Sequence, residues 1–326
     1  MTKAIRIYET GGPEVLRWED DDPGKPEAGQ ALVRHEAVGL NFIDVYHRTG
    51  LYPLPSLPAV PGLEGAGIVE EIGDGVTEVS VGDRVAYAAI PPGAYAETRR
   101  IPAHRLVKLP ESISTRQGAA MMLQGMTARY LLKGCYDVKK DDVILIHAAA
   151  GGVGSIVCQW AKHLGATVIG TAGSPEKAEI ARSNGCDHPI LYNDEDFAAK
   201  TREITGGKGV DVVYDSVGQA TFMKSLDCLR PFGLMVSFGQ ASGSVLPLDL
   251  SVLSAKGSLF LTRPTLMSYT AKREDLLVHA QDLFDVVLSG TVKIEVKQTY
   301  PLAETARAHR DLEARKTTGS TILIPD

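Results

Sequence analysis

The chain has 326 residues, of which 44% are hydrophobic and 23% are charged, a composition typical of a globular protein with about two domains. Its 34 Lys and Arg residues and 40 Asp and Glu residues give a net charge of -6, which disfavours nucleic acid as the principal ligand and favours a small molecule. No apolar run is long enough to span a bilayer, and the first residues lack the apolar core of a signal peptide, so a cytoplasmic location is expected.

The four cysteines, Cys135, Cys158, Cys186 and Cys228, lie far apart in the sequence. None of them forms the C-x-x-C pair that marks a zinc or redox site. We therefore expect reduced thiols, most of which fill the core.

Short segments of alternating apolar and polar residues, separated by Gly and Pro, occupy the chain up to about residue 110. Their sequences are "AIRIYETGG", "QALVRHEAVGLN", "GAGIVEEIGDGV" and "DRVAYAAIPPGAYAE". This spacing predicts many short strands joined by turns, and hence a twisted or barrel-like β unit.

The pattern changes after a predicted helix in "LPESISTRQGAAMMLQGMTARYLLKG", because apolar runs then alternate with helical segments. The predicted strands are "VILIHA", "TVIGTA", "DVVYDSVG" and "GLMVSFG", and the helices between them are "SIVCQWAKHLG", "SPEKAEIARSNG", "DFAAKTREITGG" and "TFMKSLDCLRPFG". Apolar strands separated by single helices are typical of a parallel sheet covered on both faces. The sequence therefore predicts a doubly wound α/β domain.

The last part of the chain mixes helices and strands and ends on the apolar strand "STILIP". We expect this strand to complete the first domain, so that the α/β domain is an insertion within it. The predicted boundaries are 1–123 with 265–326 for the first domain and 124–264 for the inserted domain.

The segment "HAAAGGVG" joins the first strand of the inserted domain to its first helix. Alignment with the dinucleotide pattern G-x-G-x-x-G places Ala149, Gly151 and Gly154 at the three glycine positions, so alanine replaces the first glycine. Gly151 and Gly152 would let backbone amides approach a pyrophosphate, and Gly154 would let the helix pack closely on the strand. A turn without a ligand remains the alternative, because isolated glycine patterns are weakly specific.

The end of the second strand lacks the acidic residue with which NAD-binding units usually bind the ribose hydroxyls, and has Gly173 there instead. Ser174 and Pro175 are typical of a helix N-cap and first position, which places Lys177 in the first turn. A cation there is unfavourable unless an anion lies nearby, and a 2'-phosphate would supply one, so NADPH is favoured over NADH. A solvated lysine is the alternative. Tyr192, at the end of the third strand pattern "HPILYN", is a candidate for packing on the adenosine end, with a core tyrosine as the alternative.

A resemblance to a known family rests on segments that occur in the family order. They are "GGPEVL", "VGLNFIDVYHRTGLYP", "LPAVPGLEGAGIVEEIGDGV", "VGDRVAY", "HAAAGGVG", "TAGSPEK", "VDVVYDSVG" and "GLMVSFG". Essentially the whole chain resembles the medium-chain dehydrogenase/reductase superfamily, and within it the zinc-free NADPH:quinone oxidoreductases similar to zeta-crystallin. The resemblance implies a Rossmann domain inserted in a discontinuous, mainly β GroES-like domain, with NADPH as the cofactor.

The zinc alcohol dehydrogenases of the same superfamily carry a catalytic cysteine and a G-H-E histidine. The corresponding positions here hold Leu40 and Asn41 for the cysteine and Leu63 for the histidine. Leucine cannot bind a metal, so no metal site is expected. A quinone or an enone accepts electrons into its own conjugated system, and its reduction therefore needs no metal to stabilise an alkoxide.

Contacts with substrate and cofactor are implied for residues in a cleft between the domains. The substrate-binding candidates are Asn41, Asp44, Tyr46 and Tyr52, of which Asn41 and Tyr52 are also cofactor candidates. The further cofactor-binding candidates are Thr127, Tyr130, Gly151, Gly152, Val153, Gly154, Gly173, Ser174, Lys177, Tyr192, Ser216, Val217, Phe238, Gly239, Gln240, Thr262, Arg263 and Lys316. From residue chemistry alone, a strand-helix corner held by Asn and Asp is the alternative for the first set. No residue is assigned as an obligatory acid or base.

The expected reaction is metal-free, NADPH-dependent reduction of a small quinone by direct hydride or electron transfer. Reduction of the carbon-carbon double bond of an enone or enal is the alternative. The strand "GSLFLTR" would lie at a sheet edge, where an apolar strand favours pairing with a second copy, so a homodimer is also expected.

Overall fold

Short strands form the first part of the chain in a computed structural model, which describes residues 2–325. The elements of this part are the strands β1 (Thr2–Arg6), β2 (Arg17–Asp21), β3 (Gln30–Leu40), β4 (Glu64–Ile72), β5 (Arg84–Ala88), β6 (Thr98–Pro102) and β7 (Val107–Lys108), and the helices α1 (Phe42–Thr49) and α2 (Thr115–Tyr130). A π-helical turn, Leu131–Cys135, follows α2. The alternating sequence pattern therefore predicted the strand-rich nature of this part.

Strands and helices alternate through the middle of the chain. The elements are β8 (Val143–Ile146), α3 (Gly152–His163), β9 (Thr167–Ala172), α4 (Pro175–Ser183), β10 (His188–Leu191), α5 (Phe197–Ile204), β11 (Val210–Asp215), α6 (Phe222–Cys228), β12 (Leu229–Ser237), α7 (Ser251–Ala255) and β13 (Phe260–Thr262). The strands pair in parallel in the order β10-β9-β8-β11-β12-β13. This order is that of the Rossmann fold, and the predicted doubly wound sheet is confirmed.

The last part of the chain returns to the first sheet. Its elements are α8 (Leu266–Tyr269), α9 (Arg273–Leu288), β14 (Val296–Pro301), α10 (Thr305–Glu313) and β15 (Ser320–Ile324). Strand β15 pairs antiparallel with β3 and parallel with β14, which gives a sheet of order β14-β15-β3-β4-β5-β7, with β6 also paired to β3. The closing strand thus completes the sheet of the first part, as its sequence predicts.

Two compact units result. The first comprises Met1–Gln124, Thr270–Phe284 and Ile294–Asp326, and the second comprises Gly125–Tyr269 and Asp285–Lys293. The second unit extends beyond residue 264 because the ring of Tyr269 stacks on Tyr130 and because the backbone of Lys293 bonds twice to the Gln159 side chain. The two residues of each pair are far apart in sequence.

The core of the second unit explains why its strands are apolar throughout. Leu145, Ile169, Val213 and Met235 lie in register on four neighbouring strands, and each is fully buried. Helices cover both faces of such a sheet, so successive side chains are buried irrespective of the face on which they lie. Within residues 2–325, no helix has both the length and the apolar character required to cross a membrane.

Candidate functional site

The glycine-rich turn runs from the end of β8 to the start of α3. Gly151 is the N-cap residue of α3. The backbone is left-handed at Ala148, where φ is 55°, so an alanine makes the tight turn one residue before the position aligned with the first glycine. A Cβ at Gly154 would lie 2.3 Å from the Ala148 carbonyl oxygen, so no side chain fits there. Close packing of the helix on the turn therefore requires glycine at position 154.

The first turn of α3 has the donors that a phosphate group needs. Gly152, Val153 and Gly154 begin this helix, where the amide groups have no carbonyl partner within the helix and the dipole is positive. At position 151, a side chain would place its Cβ 3.1 Å from the Ala148 oxygen. Glycine leaves this space unfilled. Free amides beside small residues fit the pyrophosphate of a dinucleotide.

Four of the expected cofactor contacts lie together at the end of β9. The Ser174 hydroxyl accepts a hydrogen bond from the Lys177 amide at 3.3 Å, and the predicted N-cap is confirmed. A Cβ at Gly173 would lie 2.6 Å from the hydroxyl oxygen of Tyr192, which places this tyrosine directly against the strand end. The Asn193 side chain donates to the Gly173 carbonyl at 2.8 Å. The turn after β9 is thus fixed from both sides.

The loops that follow β11 and β12 contact each other. A Cβ at Gly239 would lie 2.6 Å from the Ser216 carbonyl oxygen, so the two backbones pack closely. The Val217 amide donates to the Asp215 carboxylate at 2.7 Å, and the Phe238 amide donates to the Asp215 carbonyl at 2.8 Å. These four predicted residues therefore surround one aspartate at neighbouring strand ends.

The remaining candidates of the second unit flank these loops. Gln240 follows Gly239, and Thr262 is the last residue of β13. Arg263 donates to the Ser237 carbonyl oxygen at 2.8 Å, so it ties the end of β13 to the end of β12. This contact lies at the carboxyl edge of the sheet, where ligands bind in doubly wound folds.

Thr127 and Tyr130 lie in the last turn of α2, and both are buried. The Tyr130 ring stacks on Tyr269 with the centroids 4.7 Å apart and the planes 5° apart. Burial raises the pKa of Tyr130 well above its ordinary value, so the hydroxyl stays neutral. The stacked pair accounts for the position of Tyr130 without a ligand.

Asn41 is held by the side chains of Glu64 and Gln124 in the first unit, neither of which is among the predicted site residues. Its Nδ2 donates to Glu64 Oε2 at 2.6 Å, and its Oδ1 accepts from Gln124 Nε2 at 3.0 Å. Glu64 also accepts from the Leu123 amide at 2.8 Å. Burial raises the pKa of Glu64 to about 8, against the opposite effect of these hydrogen bonds. The amide plane of Asn41 is therefore fixed.

Asp44 lies in the first turn of α1 and is fully buried. Its Oδ2 accepts from the Asn41 backbone amide at 2.9 Å and from the Tyr95 hydroxyl at 2.8 Å, whereas its Oδ1 has no partner within residues 2–325. Burial raises the pKa of Asp44 to about 7. These contacts show Asp44 as a capping residue of α1, and a direct contact with substrate stays a prediction.

Tyr46 and Tyr52 form an aromatic pair, with the ring centroids 5.0 Å apart in an edge-on arrangement. Tyr46 is buried and Tyr52 is half-buried. Lys316 is exposed in the first unit, where its ammonium group lies 3.2 Å from the Asp311 carboxylate. This ion pair gives Lys316 a local partner, and its contact with a cofactor stays a prediction.

Leu63 is buried at the position where zinc dehydrogenases carry a metal-binding histidine. Within residues 2–325, no three His, Cys, Asp or Glu side chains are grouped so that they could hold a metal ion. All four cysteines are free thiols, and three of them are buried. Glu64 instead bonds to Asn41, as a structural carboxylate would.

Buried polar residues behind the strand ends were also missed. His147 and Ser225 join Asp215 in a hydrogen-bonded chain. Asp215 is followed by Ser-Val-Gly, a sequence typical of an Asx turn, and this signal could have identified Asp215 as a residue that fixes the loop. The role of His147 carries no local signal, because both of its partners are distant in sequence.

Comparison with known proteins places the chain in a family. The alcohol dehydrogenase GroES-like domain model matches residues 27–111, and the zinc-binding dehydrogenase model matches residues 152–274. A quinone oxidoreductase of Pseudomonas aeruginosa is 52% identical over 325 residues, with both chains covered completely. This chain belongs to the quinone oxidoreductase family of the medium-chain dehydrogenase/reductases.

Two further proteins are similar to this chain over their full lengths. The crystal structure of Escherichia coli quinone oxidoreductase complexed with NADPH has a TM-score of 0.97 and 49% identity, and covers 99% of this chain and 100% of that one. A 2-haloacrylate reductase of a Burkholderia species is 48% identical over 332 residues, covering 100% of this chain and 99% of its own. The match to the zinc-binding dehydrogenase model covers residues 152–274 and does not include position 63.

Proposed function

We propose that this protein is an NADPH-dependent quinone reductase that works without a metal ion. The observation that carries the proposal is identity of about one half, over the whole chain, to quinone oxidoreductases. A crystal structure of one such relative contains NADPH. The cofactor-binding domain would be 124–264, and the substrate-binding domain would be 1–123 with 265–326.

NADPH would bind at the carboxyl edge of the parallel sheet. The amides of Gly152, Val153 and Gly154 would bind the pyrophosphate, because they are the free donors at the start of α3. Lys177 would bind the 2'-phosphate, and Tyr192 would pack beside it against Gly173. When bound, NADPH supplies a hydride to the acceptor.

The acceptor would contact the residues of α1 and the segment after it. Asn41 has one amide N–H beyond its bond to Glu64, and can orient a polar group. Tyr46 and Tyr52, which pack against each other, would pack against the conjugated ring of the acceptor. Hydride transfer to a quinone gives a hydroquinone anion, which takes up one proton from the solvent, so these side chains need only to position the acceptor beside the cofactor.

Reduction of an activated carbon-carbon double bond is the second candidate. The similarity to a 2-haloacrylate reductase, at 48% identity, favours it. An enone or a haloacrylate carries the same conjugation that makes a metal unnecessary. The two activities therefore differ in the shape and charge of the acceptor rather than in the cofactor chemistry.

A homodimer joined through the edge of the parallel sheet completes the proposal. Phe232 and Phe260 are 65% and 61% exposed on the neighbouring strands β12 and β13, and β13 is an edge strand. Exposed aromatic side chains beside unpaired strand groups are typical of an association surface. The free cysteines are consistent with a cytoplasmic location, where thiols stay reduced.

A steady-state assay of NADPH oxidation tests the function. The acceptors are 1,4-benzoquinone, 9,10-phenanthrenequinone, a simple enone and 2-chloroacrylate, each measured with NADPH and with NADH. We expect turnover of the quinones and a preference for NADPH. Turnover of the enone or the haloacrylate alone would assign the second candidate, and equal use of NADH would contradict the proposed 2'-phosphate recognition.

A further inference from the structure

A chain of buried hydrogen bonds runs behind the carboxyl ends of three neighbouring strands. Thr171, on β9, bonds through its hydroxyl to His147 Nδ1 at 3.0 Å. His147 follows β8 and bonds through Nε2 to the Ser225 hydroxyl at 2.9 Å. Ser225 donates to Asp215 Oδ2 at 3.1 Å, at the end of β11. All four side chains belong to residues that are at least 95% buried.

The donor and acceptor chemistry of these groups determines the direction of each hydrogen bond in the series. The Asp215 carboxylate and the Thr221 carbonyl oxygen, which is 2.9 Å from the Ser225 hydroxyl, only accept, so the Ser225 proton is directed to these two oxygens. The Ser225 oxygen then accepts from His147 Nε2–H. Nδ1 of the neutral ring then accepts from the Thr171 hydroxyl, whose oxygen accepts in turn from the Ala148 amide at 3.3 Å. Burial lowers the pKa of His147, although the Asp215 charge opposes this, and a neutral ring is consistent with the geometry.

At both ends of this series of hydrogen bonds, a side chain bonds to backbone amides in or next to the loops that are candidates for cofactor binding. At one end, Thr171 binds Ala148, the left-handed residue of the glycine-rich turn. At the other end, the Asp215 carboxylate accepts from the amides of Val217 and Gly218 at 2.7 and 3.0 Å. The Asp215 carbonyl also accepts from the Phe238 amide at 2.8 Å. These side chains therefore connect the loops that follow β8 and β11, and the backbone carbonyl of Asp215 extends the connection to the loop after β12.

The geometry points to Thr171, His147, Ser225 and Asp215 as positioning residues for the dinucleotide, which hold these loops in their binding conformation before the cofactor arrives. This inference rests on the proposed function, because it assumes that the loops bind NADPH. The four residues do not touch the cofactor in this assignment. They act by removing alternative loop conformations, which would otherwise reduce the affinity.

Paired substitutions test the inference on the full-length protein. Thr171→Val removes the hydroxyl and keeps the shape, Thr171→Ser keeps the hydroxyl, and Ser225→Ala breaks the chain at its centre. Thr201→Val is the control, because Thr201 is a buried threonine of the same unit whose hydroxyl has no partner within residues 2–325. The measurements are the Kd for NADPH by fluorescence titration, the KM for NADPH, kcat and the Tm.

We expect Thr171→Val and Ser225→Ala each to raise the Kd and the KM for NADPH about tenfold, the effect of one well-placed hydrogen bond. The value of kcat at saturating NADPH should stay within about twofold. Thr171→Ser should restore the affinity, and Thr201→Val should leave it unchanged. The double variant should lose less than the product of the single losses, because either substitution already interrupts the same chain.

Two outcomes separate this inference from the proposed function. In the first, the wild type binds NADPH and the variants have a lowered Tm but an unchanged Kd. This result would show that the hydrogen-bonded side chains contribute to stability alone, and it would overturn the inference. Wild-type protein that binds no NADPH would overturn the proposed function and this inference with it. Ser225→Ala removes a single oxygen atom, so it decides the question even if Thr171→Val does not fold.

Discussion

Gly154 lies so close to Ala148 that a Cβ at position 154 would be 2.3 Å from the Ala148 carbonyl oxygen. The same Cβ would lie 2.8 Å from the Ala149 Cα, so the obstruction on both sides is backbone. Backbone cannot turn aside as a flexible side chain can. The position of α3 over the glycine-rich turn, and with it the position of the helix amides, therefore depends on the absence of a side chain at this residue.

Gly154→Ala should weaken folding and NADPH binding together. The added methyl group must push α3 away from the turn, at a cost of about 1–3 kcal/mol in the free energy of unfolding. Gly151→Ala is the matched control, because its Cβ would lie 3.1 Å from the Ala148 oxygen and its φ of -79° suits alanine. It should weaken NADPH binding with little change in stability. Urea unfolding and NADPH titration measure both effects, and a Gly154→Ala protein as stable as wild type would contradict the close packing.

Lys177→Ala should remove the preference for NADPH. Loss of a charged hydrogen bond to the 2'-phosphate should raise the Kd for NADPH about tenfold or more and leave the Kd for NADH unchanged. Lys162→Ala, which removes a cation paired with Asp187 in the same unit, should not change the preference. Titrations with both nucleotides measure this, and an unchanged preference in Lys177→Ala would mean that other residues recognise the 2'-phosphate.

The features that were predictable from sequence depend on neighbouring residues. The apolar run at residues 143–146 forms β8, and the Ser174-Pro175 pair caps α4 with the Lys177 amide bonded to the Ser174 hydroxyl. Strand burial and helix capping are both determined within a few residues of the chain. For this reason the order of the elements in the inserted domain followed from the sequence.

The features that were not predictable depend on contacts between distant residues. Asn41 bonds to Glu64 and to Gln124, which are 23 and 83 residues away. The alignment of the glycine pattern also gave no indication that Ala148 is the left-handed residue. A strained backbone angle and a buried polar pair are set by tertiary packing, so a single sequence carries no periodic signal for them.

Glu64→Gln should alter the pH dependence of stability. Burial raises the pKa of Glu64 from 4.5 to about 8 on folding, so between these values the folded chain binds more protons than the unfolded chain. The contribution of Glu64 to the free energy of unfolding is therefore largest below pH 4.5 and falls as the pH rises toward 8. The change is at most about 1.4 kcal/mol per pH unit for one group.

Urea unfolding of both proteins between pH 5 and 8 measures this effect, at about four pH values. Wild type should lose stability relative to Glu64→Gln as the pH rises. Glu70→Gln is the control, because it removes an exposed carboxylate of the same strand that pairs with Arg34, and the loss of an exposed ion pair should cost less than about 1 kcal/mol. A difference between wild type and Glu64→Gln that is constant with pH would contradict the raised pKa.

Arg48→Met should destabilise the first unit. The Arg48 side chain is 1% exposed and forms a two-pronged ion pair with Glu313 at 2.8 and 2.9 Å. It also bonds to His309 Nδ1 at 3.1 Å and to the Gly11 carbonyl at 3.0 Å. Loss of the guanidinium group leaves buried acceptors without a donor, so the free energy of unfolding should fall by about 2–4 kcal/mol.

Arg307→Met is the matched control for Arg48, because Arg307 lies on α10 with its side chain 62% exposed and paired to Glu304. An exposed ion pair contributes little, so this change should cost less than about 1 kcal/mol. Urea unfolding compares the two variants. Equal losses would show that the buried position of Arg48 adds nothing to the stability of the unit.

Phe260→Lys should convert the proposed dimer into a monomer. Strand β13 has only three residues, Phe260–Thr262, and its outer edge forms no strand pair within the described part of the chain. A lysine on an edge strand places a hydrated charge where an apolar interface would exclude water, and edge charges oppose strand pairing.

Val81→Lys is the control, because Val81 is 60% exposed but lies in the first unit. Light scattering at micromolar concentration should give a dimer for wild type and Val81→Lys and a monomer for Phe260→Lys. A wild-type monomer would refute the dimer, and a dimeric Phe260→Lys would place the interface on a different surface.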